Sequence, residues 1–483
     1  MKSLQKAMTA GLLALAGLMP AGAQQSLSDN QDPTEPCFIP GIRERVRCMT
    51  LEVPLDYDNP DGRKIDVFTA IVPARGSNAE KDALWLLAGG PGQAAAEWGG
   101  LAKTALRAIH QKRDIVLMDQ RGTGKSNPLE CKMGSEQVFE ELTDWTRFIA
   151  DCRAEYDIDV RHFTMENVIR DMEEVRKALG QEKLNLWGGS WGTRTAGLYE
   201  KRHPDRVRSI VIDGVAPPDV SLFESAPASA ERALRLLAQD CLEVDGCAVK
   251  YPDFEENVDT LIRRAENGDL RYEGKDLLTG KPLSFDLNFT SAVEGIRALM
   301  YSANSTVMLP YLVQEAVEGN LAPWAAAAAS GGDAGMYLGA TLSILCGEEL
   351  PRVRADALEA AATDSFAKDS YYQYWKAGCQ GWESMPGADD AHEPIATDVP
   401  TLILSGNLDP ITPPEMGEHW LKGASNARHI VVNGNGHITS NTACMPRLIG
   451  EFVDTLDPKA LDDACLGHMK RLPVVTGING TVN

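Results

Sequence analysis

Ser190 stands two residues after Gly188 and two before Gly192, at the end of the run Leu184, Asn185, Leu186, Trp187, Gly188, Gly189. An apolar run that breaks into glycines predicts a strand, a sharp turn and a helix beginning near Trp191, with the serine hydroxyl pushed out of the sheet. Only small neighbours two residues to either side let the backbone cross so tightly, and the two glycines fill those places. A serine hydroxyl is a weak nucleophile. It needs a histidine to take its proton and an acid to hold that histidine in the right tautomer. When the serine sits on a strand-to-helix turn, acid and histidine follow it in that order, each after a later strand. Asp409 follows the apolar run 401–404, and His437 follows the run 429–432 in a loop with Gly434 and Gly436. Ser190, Asp409 and His437 are therefore the candidate catalytic residues. Asp213 also ends an apolar run, at 209–212, and is the rival acid; it reads as a turn former. The other histidines, at 110, 162, 203, 392, 419, 429 and 468, read as surface or hydrogen-bonded groups.

Acyl transfer also needs two backbone N–H groups aimed where negative charge develops. One should belong to Trp191, the residue after the nucleophile, and the other to the loop after an earlier strand. Gly89, Gly90, Pro91 and Gly92 follow the apolar run 83–88, and Gly90 is favoured over Gly89 as the second donor. The run Gly124, Lys125, Ser126 suggests a phosphate-binding loop, but that loop needs a glycine at position 119, which is Asp119. The nucleotide reading fails.

These residues need a scaffold. Strand patterns at 49–54, 65–72, 83–88, 115–118, 184–189 and 209–212, with helical patterns at 101–111 and 164–179 between them, imply an α/β fold with a mostly parallel sheet. From 217 to 395 alternating strands disappear and helical patterns take over, at 231–242, 254–267, 291–301 and 307–319 and in the alanine run 325–329. The sheet resumes at 400–405 and 429–432, and 446–456 reads as a closing helix. The expected organisation is a leader over 1–23, a core over 24–216, a mainly helical insertion over 217–395 and the rest of the core over 396–483.

The formal charge is −22, which disfavours nucleic acid and anionic membranes as partners. Lys2 and Lys6 precede an apolar stretch that ends in Pro20, Ala21, Gly22 and Ala23, the layout of a secretory signal peptide cleaved before Gln24. Residues 24–483 contain no stretch long and apolar enough for a membrane helix. The ten cysteines, with no CxxC pair and no histidine at zinc-ligand spacing, favour disulfides over a metal site in a secreted or periplasmic protein. Sequential pairing would give five bridges, although spacing alone does not fix connectivity. No cofactor is expected.

Taken together, the block 119–126 (Asp, Gln, Arg, Gly, Thr, Gly, Lys, Ser), the glycine loop 89–92, the serine motif, Asp409 with Pro410, Ile411, Thr412 and Pro413, and Gly436 with His437 resemble the proline iminopeptidase and tripeptidyl aminopeptidase branch of the α/β-hydrolases. The resemblance spans most of the chain outside the helical insertion, and Cys444 and Cys465 are similar to the tripeptidyl side of the branch. Ala88 departs from it, standing where the iminopeptidases carry histidine, which argues against strict proline specificity. The resemblance implies an α/β-hydrolase fold with a helical cap and a serine aminopeptidase acting on peptides with a free N-terminus. It also implies that acidic cap residues hold the substrate ammonium, and Glu348 and Glu349, after Cys346 and Gly347, are the candidates, with Glu224 an alternative. An esterase on the same triad and a non-catalytic binding protein of the same fold are the competing functions.

Overall fold

Short all-apolar runs become the buried middle of a sheet. In the computed structural model, which describes residues 32–133, 141–276, 279–331, 335–477 and 480, the strands are β1 (Glu35–Cys37), β2 (Val46–Pro54), β3 (Lys64–Val72), β4 (Leu84–Leu87), β5 (Ile115–Met118), β6 (Leu184–Gly189), β7 (Val207–Asp213), β8 (Arg271–Lys275), β9 (Pro282–Asp286), β10 (Thr401–Gly406) and β11 (Ala427–Val432). The leader expected over 1–23 lies outside the described residues. The main sheet runs β1-β2-β3-β5-β4-β6-β7-β10-β11. Its first pairings, through β3 with β5, are antiparallel, and those from β5 to β11 are parallel. Every residue of β4, β5, β6 and β10 is buried, as parallel strands covered on both faces require.

One hydrophobic cluster, containing Trp85, Val116, Met172 and Tyr199, packs on one face of the sheet; another, containing Leu84, Leu117, Leu448 and Phe452, packs on the other. A third, built mostly from residues between Ala230 and Ala325, joins helices inserted between β7 and β10. The longest of these, Leu222–Leu242, begins nine residues before the expected 231, because Ser221 caps it and Pro227 is tolerated within it. The expectation that strands vanish from this region is corrected by β8 and β9, which pair only with each other and so lie outside the main sheet's periodicity. The helix expected over 101–111 is likewise two short pieces, a 3-10 segment Ala95–Lys103 and the α-turn Arg107–His110.

The five disulfides are the sequential ones: Cys37–Cys48, Cys131–Cys152, Cys241–Cys247, Cys346–Cys379 and Cys444–Cys465. This density belongs to proteins that fold in an oxidising compartment. No helix among the described residues is long and apolar enough to cross a membrane.

Strand order sets where a site can form. The chain passes from β4 to β5 on one side, then returns through the helix Met165–Ala178 to β6 on the other side of β4. In open α/β sheets the crevice for a ligand opens at such a reversal, beyond the carboxyl ends of the strands. The loop of Gly89, Gly90, Pro91 and Gly92 leaves β4 there, and Ser190 leaves β6 beside it.

Candidate active site

Ser190 occupies a left-handed backbone conformation, φ 54° and ψ −122°, between β6 and the helix Trp191–Arg202. A non-glycine residue held there stores about 1–3 kcal/mol, which the surroundings must offset. The neighbours do so by close packing. A Cβ on Gly188 would collide with the Gly192 carbonyl, and one on Gly192 with the Leu87 carbonyl. The Ser190 amide donates to the Asp213 carbonyl at 2.9 Å, tying the turn to the end of β7.

Register carries the other residues to the same edge. Gly189 pairs with Asp213, Asp213 with Leu404, and Gly406 with Val432, so the loops bearing Ser190, Asp409 and His437 leave adjacent strand ends. Asp409 is fully buried, and its Oδ2 accepts from His437 Nδ1 at 2.7 Å. Oδ1 accepts from the Ile411 and Thr412 amides at 3.0 and 2.9 Å, and the Thr412 hydroxyl donates to Oδ2 at 2.7 Å while lying 3.0 Å from Nδ1. Burial alone would raise the Asp409 carboxyl, but the His437 charge and hydrogen bond, then Thr412, bring it below the usual carboxylate range. Burial would depress the imidazole; the charge and hydrogen bond of Asp409 outweigh it, and His437 is held above its ordinary value.

With Nδ1 directed at the carboxylate, Nε2 is the nitrogen left to accept a proton. Among the described residues it accepts from no donor, so the Ser190 hydroxyl is not hydrogen-bonded to it in this structure. The two groups nevertheless flank one short stretch of backbone. The imidazole lies over Gly214, where an added Cβ would be 2.8 Å from Cε1, and Gly214 follows the carbonyl that accepts from Ser190. Such contacts are often open without substrate and close in the complex.

Asp213 is not merely a turn former. Fully buried, it accepts from the Thr439 amide and hydroxyl and from the Ser440 amide and hydroxyl, at 2.6–3.1 Å. It anchors the loop just beyond His437 and leaves Asp409 as the acid on the imidazole.

Gly90 has φ 108°, open only to glycine, in a loop pressed against Ser190: a Cβ on Gly89 would be 3.0 Å from Ser190 Cβ. Trp191 opens its helix, so its amide has no partner within that helix. The inserted region clamps this loop through the Tyr337 amide, which donates to Gly92 at 2.8 Å, and the Thr341 hydroxyl, which donates to Pro91 at 2.6 Å.

Glu348 and Glu349 lie in the π-helical turn Leu345–Glu349, held by the disulfide at Cys346. They have different surroundings. Glu349 Oε1 is ion-paired with Arg194 and, at 2.7 Å, with Arg352, and Oε2 takes a long 3.4 Å bond from the Leu222 amide. Its charge is matched internally by these two arginines. Among the described residues Glu348 makes no ion pair, although the Arg194 charge acts on it and partly opposes its burial. It is 3% exposed, its Oε1 accepts from the Met165 amide at 2.8 Å, and burial pushes its carboxyl up to about 7. Glu224, the alternative, pairs with Arg354 at 3.0 Å.

Sequence reasoning misses three contributors. Thr412 carries a signal, an Asp-x-x-Thr spacing in which the side chains close a local turn. Arg194, over the Trp191 ring at 4.6 Å, lies one turn into the helix after the nucleophile and by pattern is an ordinary helix residue. Tyr301, whose carbonyl accepts from the His437 amide at 2.7 Å, carries no signal, since pattern alone does not dock the insertion's helices.

A sheet of this order, with a serine at its strand-to-helix hinge and an Asp–His pair on later loops, is the α/β-hydrolase architecture. Residues 82–242 match the family described as alpha/beta hydrolase fold, and residues 364–465 match that described as TAP-like protein. The chain is 26% identical to serine protease Hip1 of Mycobacterium tuberculosis over 77% of each chain. It is 32% identical to tripeptidyl aminopeptidase of Streptomyces coelicolor over 36% of each. Among solved structures it is similar to proline iminopeptidase of Mycobacterium smegmatis, with 16% identity, a TM-score of 0.38, and 84% and 98% of the two chains covered. The fold and these matches are those of an α/β-hydrolase, and the similarities support the branch of the tripeptidyl aminopeptidases and proline iminopeptidases.

Proposed function

We propose that this chain is a secreted serine aminopeptidase, cleaving peptides near a free N-terminus through Ser190, His437 and Asp409. The observation that carries the reading is the buried Asp409–His437 contact at 2.7 Å, on the sheet edge from which the strained Ser190 projects. The peptidase names of its relatives and the five disulfides support it.

The chemistry follows from the geometry. His437 Nε2 takes the Ser190 hydroxyl proton as Oγ attacks the scissile carbonyl, and Asp409 stabilises the imidazolium through Nδ1–H. The carbonyl oxygen, now an oxyanion, accepts from the amides of Gly90 and Trp191; losing one such donor costs about 3–4 kcal/mol of transition-state stabilisation. Collapse breaks the C–N bond, the leaving amine takes the proton from Nε2, and an acyl-enzyme remains on Ser190. Water, deprotonated by the same imidazole, releases the N-terminal fragment.

Glu348 is the acid we assign to the substrate ammonium, because it is the candidate that makes no ion pair with an arginine among the described residues, whereas Glu349 and Glu224 do. The test is mass spectrometry of products from paired peptides, free and N-acetylated. Cleavage near the free N-terminus with the acetylated partner left intact is expected. Equal cleavage of both, or turnover of short acyl esters with no peptide cut, removes the aminopeptidase reading and leaves an acyl hydrolase.

A further inference from the structure

A hydrogen bond at Nδ1 restrains an imidazole at one point and leaves its plane free to swing. The sheet supplies that point through Asp409; a second contact comes from the insertion. The helix Phe289–Met300 is followed by its capping residue Tyr301, whose carbonyl accepts from the His437 amide at 2.7 Å. Its ring meets the imidazole edge-on, with centroids 5.1 Å apart and planes at 71°. Gly436 makes the approach possible, since a Cβ there would collide with the Tyr301 carbonyl.

Tyr301 is fixed from its far side. Arg297, one turn earlier, donates to the phenol oxygen at 2.7 Å, with its guanidinium 5.4 Å from the Tyr301 ring and 4.5 Å from that of Tyr371. Glu294 in turn accepts from Arg297 Nε at 2.9 Å. The Arg297 side chain is 12% exposed, so this cation is shielded from the solvent that would otherwise screen it.

We propose that Tyr301 is a positioning residue for His437: its carbonyl and ring, locked by Arg297, hold the imidazole plane so that Nε2 faces Ser190. The inserted helices are thereby part of the proton-transfer geometry as well as a cover over it. This rests on the triad reading above. A misplacement of about 1 Å at the reacting atoms costs up to 100-fold in rate, so the second restraint is worth a measurable factor.

The groups facing the imidazole also fix the sign of an electrostatic effect. Asp409 and Asp213 on the core side favour its charged form, while Arg297 on the insertion side opposes it; the Tyr301 phenol and Thr412 hydroxyl are neutral. Removing Arg297 therefore favours protonated His437 and moves the acidic limb of the kcat/KM profile to higher pH.

The experiment uses the full chain with its disulfides, as wild type, Tyr301→Leu, Tyr301→Phe and Arg297→Met. Peptide turnover and the rate of fluorophosphonate reaction at Ser190 are both measured. The Leu variant is expected to lose about 10- to 100-fold in kcat and in labelling rate with KM within about 3-fold, and Phe, which restores the ring, to stay within about 3-fold of wild type. Labelling of the Leu variant at the wild-type rate overturns the proposal, as does a Phe variant as impaired as Leu. Should the Leu variant fail to fold, Arg297→Met, which leaves ring and carbonyl in place but removes what locks them, decides: kcat and labelling rate lowered more than about 3-fold at a pH well above the acidic limb supports the proposal, and wild-type rates there overturn it. Failure of wild type itself to label at Ser190 contradicts the triad reading, a different result from equal labelling of wild type and variant.

Discussion

Glu348→Gln should make the protein more stable, and only on the alkaline side. The carboxyl is 3% exposed, has one amide donor and no ion pair among the described residues, and burial raises it from 4.5 to about 7 against the opposing charge of Arg194. A folded state that holds a proton more tightly than the unfolded chain has its full share of stability below the unfolded value, and loses it as pH rises through the folded one. The window is therefore about pH 4.5 to 7, and a displacement of this size corresponds to about 3 kcal/mol as a ceiling. Glutamine keeps an oxygen for the Met165 amide and cannot ionise. Near pH 4 the two proteins should match, and by pH 8 the variant should be more stable by about 1–3 kcal/mol. Guanidinium unfolding of both proteins, with disulfides intact, at pH 4, 5, 6, 7 and 8 measures this. Taking the difference at each pH cancels Asp119, another buried carboxyl, which burial raises to about 6. Parallel stability curves from pH 4 to 8 would show that Glu348 ionises as an ordinary surface acid, and the burial argument would be wrong.

Other outcomes follow from the same geometry. If the Glu348 carboxylate holds the ammonium, KM for free peptides should fall as pH rises through about 7 in wild type and stay flat in Glu348→Gln; parallel KM profiles refute the assignment. Thr412→Val removes a hydroxyl that bonds the buried Asp409 carboxylate at 2.7 Å, and kcat should drop about 10- to 100-fold, the equivalent of about 1.5–3 kcal/mol, with little change in KM. Asp213→Asn replaces acceptor oxygens facing the Thr439 and Ser440 amides with a partial donor. Chemical denaturation should show a loss of about 2–4 kcal/mol, and a loss under about 0.5 kcal/mol would mean that the loop after His437 has another anchor.

How much of this is legible in the residues alone depends on how local each determinant is. The strands β4, β5, β6 and β10 are visible because a short, largely apolar run bounded by glycine, proline or aspartate has few other uses in a folded chain. The nucleophile turn is visible because its backbone collisions demand glycine at 188 and 192. The sequential disulfide pairing is one choice among many on paper, since spacing does not encode which sulfurs meet. Tertiary docking is hidden. Glu349 looks like a substrate ligand until Arg194, 155 residues away, is brought onto it. Asp213 looks like a turn residue until the Thr439 and Ser440 donors fold back over it, and Tyr301 is one tyrosine among eleven until the insertion sets it on His437. The hairpin β8–β9 escapes for a related reason: its alternation spans only five residues a strand, and most of them are exposed.

The claim on which everything turns is that a hydroxyl at 190, activated by an imidazole at 437, is the nucleophile. Treating the protein with a fluorophosphonate at neutral pH and mapping the adduct by peptide mass spectrometry tests it most directly. A single adduct on Ser190, formed in wild type and abolished in His437→Gln, is the expected result. An adduct on another residue, or labelling of Ser190 at an unchanged rate without the imidazole, would contradict it.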